Sequence, residues 1–528
     1  MKKCLSLMLA LVMVCSCVML AHAENYTTYV RAETEAGTIQ GYNYDGVNAF
    51  LGVPYATAER FQMPQKVAPW EGVRLAMFVG DVAPANKTTT SGAEFITPSG
   101  IDNVENEATC LNLNIWTPSM DPDAKLPVIF WIHGGGYSSG SSIELSYYWG
   151  YNLAATGEAV FVSINHRLNV LGYLDLSACG EEWKYTGNLG QYDIIAALHW
   201  VHDNIGSFGG DPANVTIDGQ SGGGGKVMTL LGMPDAVPLF AKAIVQSGGV
   251  SSTPQANSVA ATAQMMENLG LTQDAEGVAA LKAMPYVELL AAANAARAGS
   301  GPVVDGEAYP APTVADGKWT DLSVDKPVMI GTALTEIAGN NVKNIARTGR
   351  FPADGDLSAY SLPDMSEEKF RELLTAKFGD RAEEALEAFK KAYPDMDPRH
   401  ILFTVARNDN NVAAKAACGG TAYSYVFAYV FPVFGGCAAW HTGGDIPFFF
   451  RNVDMVDYLI IGDRDGAHSL QDAASRALLN FLKTGDPSQD GIAWEPYTPE
   501  NGAVMVFDAD SQVEYFHDAE FQAILSGN

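Results

Sequence analysis

The chain has 528 residues, of which 47% are hydrophobic and 18% are charged, a balance typical of a globular protein able to bury a large core. Its 61 acidic and 32 basic side chains give a net charge of −29, which argues against nucleic acid and anionic membranes as partners. Length alone predicts about three domains of roughly 150 residues each. The candidate functional segments described below, however, extend from residue 133 to beyond residue 440, so we predict a single domain over residues 24–528.

The N-terminal residues predict an export signal that is removed from the mature protein. Residues 1–3 supply positive charge, residues 5–20 form an apolar core, and Ala-His-Ala at 21–23 is a small-x-small cleavage site. We therefore expect residues 1–23 to be a signal peptide and the mature bacterial protein to be secreted or extracytoplasmic. A lipid anchor on Cys17 is the less favoured alternative, because the residues before it match a lipoprotein signal poorly. No later stretch has the length and apolar character of a membrane span.

A predicted strand followed by glycines is the first segment with chemical meaning. Leu126–Ile132 is short, apolar and rich in β-branched and aromatic residues, which predicts a buried strand. After His133 come Gly134, Gly135 and Gly136. Three glycines at a strand end favour backbone N–H groups that turn toward a closely approaching group, and an oxyanion is the expected guest. A flexible glycine turn is the alternative interpretation.

A second glycine-rich segment places a serine between a strand and a helix. Val215–Ile217 is apolar, Lys226–Leu231 favours a helix, and Ser221 lies between them in a Gly-x-Ser-x-Gly frame. This order is typical of the nucleophile elbow of an α/β-hydrolase. Because the turn is cramped, the positions two before and two after the serine must lack side chains, and Gly219 and Gly223 meet that demand. The helix N-terminus at the serine also favours negative charge.

Eight further short sequence blocks lie before, between and after these two segments. They begin at Phe50, Pro69, Cys110, Asn165, Gly187, Phe208, Pro302 and Thr484. Together with the two glycine segments, they resemble the type-B carboxylesterases, the α/β-hydrolase group that includes cholinesterases and bacterial para-nitrobenzyl esterases. The resemblance covers nearly the whole mature chain. It implies a large, mostly parallel sheet with helices on both faces and inserted helices around the pocket. It also implies hydrolysis of a small-molecule carboxylic ester, without a metal or an organic cofactor.

The resemblance also implies which residues assist the serine. His441 lies in a segment similar to the family's catalytic histidine loop, and Asp445 follows four positions later where the family more often has its acid at three. Glu336 lies five residues after the glycine that ends the predicted strand Val328–Gly331, the position of the family's catalytic glutamate. Asp305 is the competing carboxylate, although its Val-Val-Asp-Gly setting indicates a turn.

The implied mechanism is acyl transfer through a serine, histidine and glutamate triad, with a backbone oxyanion hole. Two departures from the family accompany it: Gln220 replaces a glutamate, and glycine replaces a common alanine at the position after the serine. An aromatic-lined substrate pocket is also expected, although clustered aromatic residues often form cores. The predicted residues are Ser221, Glu336 and His441 for catalysis, Gly135, Gly136 and Gly222 for the oxyanion hole, and Tyr137, Trp440 and Phe448 for the pocket.

Export would leave Cys110, Cys179, Cys418 and Cys437, which permit three full sets of disulfide pairs. The family often bridges the position of Cys110 to an upstream cysteine, and no mature cysteine precedes it here. Cys418 and Cys437, which flank the strand-like segment Tyr423–Phe431, are the preferred pair. The alternative is that all four are small hydrophobic side chains in the interior.

Two other classes of function share parts of this pattern. A secreted acyltransferase or amidase would use the same triad, and only analysis of the products distinguishes it from an esterase. A non-catalytic binding protein on the same fold would be expected to lack Ser221 or His441, and both are present. The acidic surface is explained more simply by solubility than by steering of cationic substrates, because the motifs near the serine supply no cluster of carboxylates. The sequence specifies neither the natural ester nor the oligomeric state.

Overall fold

The computed structural model of the protein describes residues 28–85, 104–336, 365–433, 436–438 and 443–527. The predicted signal peptide lies outside this part of the chain. The strands of the described residues are β1 Thr28–Thr34, β2 Gly37–Tyr44, β3 Val47–Pro54, β4 Ala56–Thr57, β5 Gln65–Lys66, β6 Val73–Leu75, β7 Asn112–Thr117, β8 Leu126–Ile132, β9 Val160–Ile164, β10 Gly210–Gln220, β11 Lys242–Gln246, β12 Thr253–Pro254, β13 Val303–Val304, β14 Val314–Ala315, β15 Lys318–Trp319, β16 Val328–Ala333, β17 Ala422–Phe427, β18 Val430–Phe431, β19 Cys437–Ala438, β20 Ala503–Phe507 and β21 Gln512–Tyr515.

A central sheet runs through the fold in the order β1-β2-β3-β7-β9-β8-β10-β11-β16-β17-β20-β21, and β6 pairs with β2. From β9 to β20 every neighbouring pair is parallel, whereas the strands at both edges are antiparallel. Parallel strands are covered on both faces, which explains why the predicted strand β8 is an almost unbroken apolar run. The large, mostly parallel sheet that the sequence predicted is therefore present.

Helices cover the two faces of this sheet. The α-helices among the described residues are α1 Tyr151–Ala154, α2 Asn169–Tyr173, α3 Leu189–Asn204, α4 Gly222–Leu230, α5 Gln255–Asn268, α6 Ala275–Ala283, α7 Tyr286–Ala296, α8 Glu367–Phe378, α9 Ala382–Ala392, α10 Asp409–Ala417, α11 Ile446–Phe449, α12 Arg464–Thr484 and α13 Ala519–Leu525. The sheet separates two hydrophobic cores, and strand β8 contributes to both, because alternate side chains point to opposite faces of a strand. Phe130 packs in one core with α3 and α4, and Trp131 packs in the other core with α11 and α12.

The order of the strands determines where the candidate site lies. Strands β8, β10, β11 and β16 are consecutive and parallel, so their carboxyl ends meet at one edge of the sheet. The glycine loop follows β8, Ser221 follows β10, Ser247 follows β11 and Glu336 follows β16. Segments that are far apart in the sequence are therefore neighbours at this edge.

The helix after the serine begins at Gly222, directly after Ser221, as the sequence predicts. One strand boundary differs from the predicted one. The predicted strand over Tyr423–Phe431 is divided into β17 and β18. Among the described helices, none combines the length and the apolar character needed to cross a membrane.

The preferred disulfide was wrong. Cys418 is a free, exposed thiol at the end of α10, and its sulfur lies 3.8 Å from the carbonyl oxygen of Trp319. Cys110 and Cys179 are also free. Spacing along the chain could not reveal this, because the partner of a cysteine is decided by the packing of the segments that carry it.

Candidate active site

Ser221 lies in the strained backbone turn expected of a nucleophile elbow. Its φ and ψ angles are 57° and −123°, between the end of β10 and the start of α4. A residue with a side chain is held at positive φ only when the surrounding structure enforces it, at a cost of about 1–3 kcal/mol. Here the Ser221 N–H donates to the carbonyl oxygen of Gln246 at 2.8 Å, and its own carbonyl accepts from Gly225 N at 2.9 Å.

The glycines of the elbow are required by close backbone packing. A Cβ atom at Gly219 would overlap the backbone of Gly223, and a Cβ atom at Gly223 would overlap the carbonyl oxygen of Ile132. At Gly224 it would lie 2.9 Å from the Cα atom of Gly248, in the segment after β11. The close approach of the segment after β11 thus explains why a glycine lies at position 224 in the first turn of α4.

The loop after β8 lies directly against the serine. Gly135 and Gly136 have φ angles of 84° and 64°, a conformation that side chains rarely adopt. A Cβ atom at Gly134 would lie 3.4 Å from the Cβ atom of Ser221, and one at Gly222 would overlap the backbone N, Cα and O atoms of Gly136. The three predicted oxyanion residues are therefore gathered beside the serine, with Gly136 exposed and Ser221 partly exposed to solvent.

Glu336 lies at the same edge of the sheet. Its Oε1 atom accepts hydrogen bonds from the Ser247 hydroxyl at 2.6 Å and from Ala333 N at 2.9 Å. Ser247 directly follows Gln246, whose carbonyl holds the backbone of Ser221. The carboxylate is therefore fixed in the segment next to the elbow.

The competing carboxylate, Asp305, has a different environment. Its Oδ1 atom accepts from the backbone N–H groups of Glu307 and Tyr309 at 2.9 and 3.0 Å, and its Oδ2 atom accepts from the Asn188 amide at 3.1 Å. These contacts are those of a turn cap. His441 and Trp440, the predicted base and a predicted pocket residue, lie outside the described residues.

Two predicted pocket residues belong to the interior. Phe448 is fully buried among Phe427, Tyr429 and Phe431, with ring centroids 5.2 to 5.9 Å from its own. Tyr137 is buried behind the glycine loop, with its hydroxyl 2.7 Å from where a Cβ atom of Gly225 would lie. Both side chains therefore pack in the interior of the described structure, and their part in a substrate pocket stays a prediction.

Buried carboxyl groups lie behind the nucleophile, which the sequence did not predict. Asp218, three residues before Ser221, is fully buried, and within the described part of the chain no side chain donates a hydrogen bond to its carboxyl oxygens. Burial raises the pKa of Asp218 well above its usual value, and the nearby Asp445 raises that pKa further. Burial also raises the pKa of Tyr425, with additional effects from Asp445, Asp218 and Glu336.

One signal for this cluster was present in the sequence. Asp218 directly follows the apolar segment Val215–Ile217 in β10, and a charged residue in a buried part of a strand is rare unless the group is paired or neutral. Asp445 gave no such signal in the sequence, because its proximity to Asp218 depends on the tertiary fold. Within the described residues, no group of three or more His, Cys, Asp or Glu side chains is arranged to hold a metal ion.

Comparison with known proteins decides the family. The sequence profile of the Carboxylesterase family matches residues 28–524. The chain belongs to this family. Para-nitrobenzyl esterase of Bacillus subtilis (strain 168) is 29% identical over 521 residues, which cover 93% of this chain and 98% of that protein.

Solved structures of other carboxylesterases are similar over nearly their whole length. An esterase from the anaerobe Clostridium hathewayi, described as able to hydrolyse aliphatic aromatic polyesters, has a TM-score of 0.83 and 36% identity, covering 95% of this chain and 100% of that one. A carboxylesterase of Geobacillus stearothermophilus has a TM-score of 0.71 and 31% identity, covering 94% of this chain and 99% of that one. This carboxylesterase thus has the α/β-hydrolase fold and is a carboxylic ester hydrolase.

Proposed function

We propose that this carboxylesterase cleaves esters through a covalent acyl-enzyme intermediate on Ser221. The observation that carries the proposal is the packing of the glycine loop against the strained serine. A Cβ atom added at Gly134 would lie only 3.4 Å from the Ser221 Cβ atom. Backbone N–H groups at Gly135, Gly136 and Gly222 would then stabilise the tetrahedral oxyanion.

The remaining roles follow from the chemistry of a weak nucleophile. A serine hydroxyl at neutral pH needs a base, which we assign to His441, and the base needs an orienting carboxylate, which we assign to Glu336. His441 accepts the serine proton as Ser221 attacks the ester carbonyl and gives it to the departing alcohol. Water then attacks the acyl-enzyme by the same route and releases the acid. The contacts of Glu336 with Ser247 and Ala333 support this assignment over Asp305.

We further propose that aromatic esters are among the substrates. The Clostridium hathewayi esterase, described as hydrolysing aliphatic aromatic polyesters, is 36% identical to this chain and has nearly the same extent. The para-nitrobenzyl esterase of Bacillus subtilis is similar over nearly its whole length. Short diesters of an aromatic diacid with an aliphatic alcohol should therefore be cleaved faster than wholly aliphatic diesters of the same length.

The experiment has two parts. The mature enzyme is treated with a fluorophosphonate, and mass spectrometry of its peptides identifies the labelled residue, which we expect to be Ser221. Ser221→Ala should lower kcat by several orders of magnitude and leave about 10³- to 10⁴-fold acceleration over water. Labelling at another residue, or near-normal turnover by Ser221→Ala, would overturn the mechanism.

Product analysis tests the competing activities. Release of free acid in water supports hydrolysis, whereas dominant transfer of the acyl group to an added alcohol would identify an acyltransferase. Preferential cleavage of matched amides would identify an amidase. Both alternatives use the same labelled serine, so this measurement is independent of the labelling experiment.

We also propose that the enzyme acts outside the cytoplasm after removal of residues 1–23. The proposal rests on the charged, apolar and small-residue segments of the N-terminus. The protein purified from the medium or the cell envelope should begin at Glu24. A lipid-modified N-terminus at Cys17 would support the alternative of membrane anchoring, and an intact N-terminus in the cytosol would overturn export.

A further inference from the structure

A lysine lies buried behind the glycine loop. Lys226, in the second turn of α4, has no exposed surface, and its Nζ atom donates to the carbonyl oxygen of His133 at 3.1 Å. His133 is the residue that joins strand β8 to the glycine loop. The hydrogen bond therefore ties the helix of the nucleophile to the base of the loop that is expected to hold the oxyanion.

The surroundings of Lys226 are poor in negative charge. The Tyr137 ring centroid is 5.8 Å from Nζ, and the His133 ring is stacked on the His166 ring at 5.0 Å between centroids. Burial lowers the pKa of both histidines, and Lys226 lowers each of them further. Arg167 also lowers the pKa of His166, although its guanidinium is paired with Asp193 at 2.6 Å, and no salt bridge joins Lys226 to a carboxylate in the described part of the chain.

Filling space does not explain a lysine at this position. Full burial of an ammonium group is unfavourable, and a methionine or a leucine would fill the space without that cost. Burial lowers the pKa of Lys226 to about 7, an effect that the half-buried Glu144 only partly opposes. The feature that such an apolar side chain would lack is the donor to the His133 carbonyl.

The packing around this carbonyl links it to the oxyanion residues. A Cβ atom at Gly223 would lie 2.9 Å from the same His133 oxygen, so the strand end is pressed against the start of α4. Three residues further along the loop, the backbone of Gly136 lies against Gly222. A shift of the His133 carbonyl would therefore move the backbone that faces Ser221.

We propose that Lys226 is a positioning residue of the oxyanion hole: it holds the His133 carbonyl and thereby fixes Gly135 and Gly136 relative to Ser221. This inference rests on the proposed function, since it concerns the same oxyanion. It adds a side chain that does not touch the substrate but determines how well the backbone donors are aligned with the transition state. Such alignment affects kcat more than ground-state binding, because the oxyanion forms only during the reaction.

The test compares Lys226→Met with Lys415→Met. Lys415 is a matched control, since it is also a buried lysine that donates to a backbone carbonyl, that of Ser323 at 2.5 Å, and lies near an aromatic ring, that of Trp319 at 4.7 Å. None of these contacts involves the glycine loop. For each variant we would measure kcat and KM with a p-nitrophenyl ester, and the inhibition constant of a trifluoromethyl ketone, whose serine adduct carries an oxyanion.

Lys226→Met should lower kcat about 10- to 100-fold and weaken the ketone by a similar factor, while KM changes less than about threefold. Lys415→Met should leave kcat and the inhibition constant within about threefold of the wild type. Its melting temperature should be comparable with that of Lys226→Met. If Lys226→Met does not fold, Lys226→Gln decides instead. Its neutral amide is a shorter donor that reaches the His133 carbonyl less well, and it should lower kcat and weaken the ketone by more than about threefold but less than about 10-fold.

The inference is overturned if a folded Lys226 variant keeps both kcat and ketone affinity within threefold of the wild type. It is also overturned if KM rises while kcat and ketone affinity stay unchanged, since that pattern reports substrate binding alone. Failure of the proposed function is recognised separately, as wild-type activity that survives Ser221→Ala, and that result would overturn both proposals.

Discussion

Placing an alanine at Gly222 should impair this enzyme, although alanine is the common residue there in the family that it resembles. A Cβ atom at this position would overlap three backbone atoms of Gly136, which lies in the loop on the other side of Ser221. Restoring ordinary contact requires the loop to retreat by about 1 Å. A displacement of this size at a catalytic group costs about 10²-fold in rate, and loss of one oxyanion donor costs about 10²- to 10³-fold. We therefore expect kcat of Gly222→Ala to fall about 10²-fold.

The stability of the helix should not account for this loss. Alanine favours a helix over glycine by about 1 kcal/mol, so the substitution stabilises the start of α4 while displacing the loop. The control is Gly249→Ala, near the same helix, where a Cβ atom would meet its nearest neighbour, Asn408 Oδ1, at an ordinary 3.5 Å. The assay is kcat and KM with a p-nitrophenyl ester, together with the melting temperature. A value of kcat within threefold of the wild type for Gly222→Ala would refute the reasoning.

Three further predictions concern the carboxyl groups around the site. Glu336→Gln should lower kcat/KM about 10²- to 10⁴-fold with an unchanged melting temperature, whereas Asp305→Asn should have little effect on rate; the reverse order in ester assays would reassign the acid. Because the pKa of Asp218 is raised in the folded state, its contribution to stability is lost as pH rises above the unfolded value of about 4. The stability of Asp218→Asn relative to the wild type should therefore increase as pH rises from 5 to 8. If the two proteins differed in melting temperature by the same amount at pH 5 and at pH 8, this prediction would be contradicted. Asp193→Asn should cost about 3–5 kcal/mol in urea unfolding, because it leaves the buried Arg167 guanidinium without its partner at 2.6 Å; a loss below 1 kcal/mol would show that the pair is not needed.

Local sequence patterns were sufficient for the parts of the fold with strong local constraints. The predicted strand Leu126–Ile132 has the same bounds in the structure, because an apolar run of this length in a parallel sheet is buried on both faces. The glycines at 219 and 223 were predicted from the shape of the turn, and the structure shows the backbone atoms that exclude a side chain there. The helix α4 begins directly after Ser221, as predicted, although its four glycines have a low helix propensity that tertiary contacts must override.

The residues of the candidate site divide in the same way. Ser221 and the glycine loop could be predicted because each lies in a short motif whose backbone geometry restricts the residue types. The sequence could not show that Phe448 is fully buried, because an aromatic residue has the same local pattern whether it lines a cavity or completes a core. Ser247, which donates to Glu336, was missed because a single serine after a strand carries no distinctive pattern.

The sequence by itself determined the order of the strands along the chain, the strained turn at Ser221, the run of glycines after β8 and the family that these segments resemble. Those features depend on neighbouring residues, and a short segment contains all of their constraints. Only the tertiary structure decided that Gly136 packs on Gly222, that Asp445 raises the pKa of Asp218, and that Lys226 donates to the His133 carbonyl. These contacts join segments from different strands, and their distances are set by the order and register of the parallel sheet.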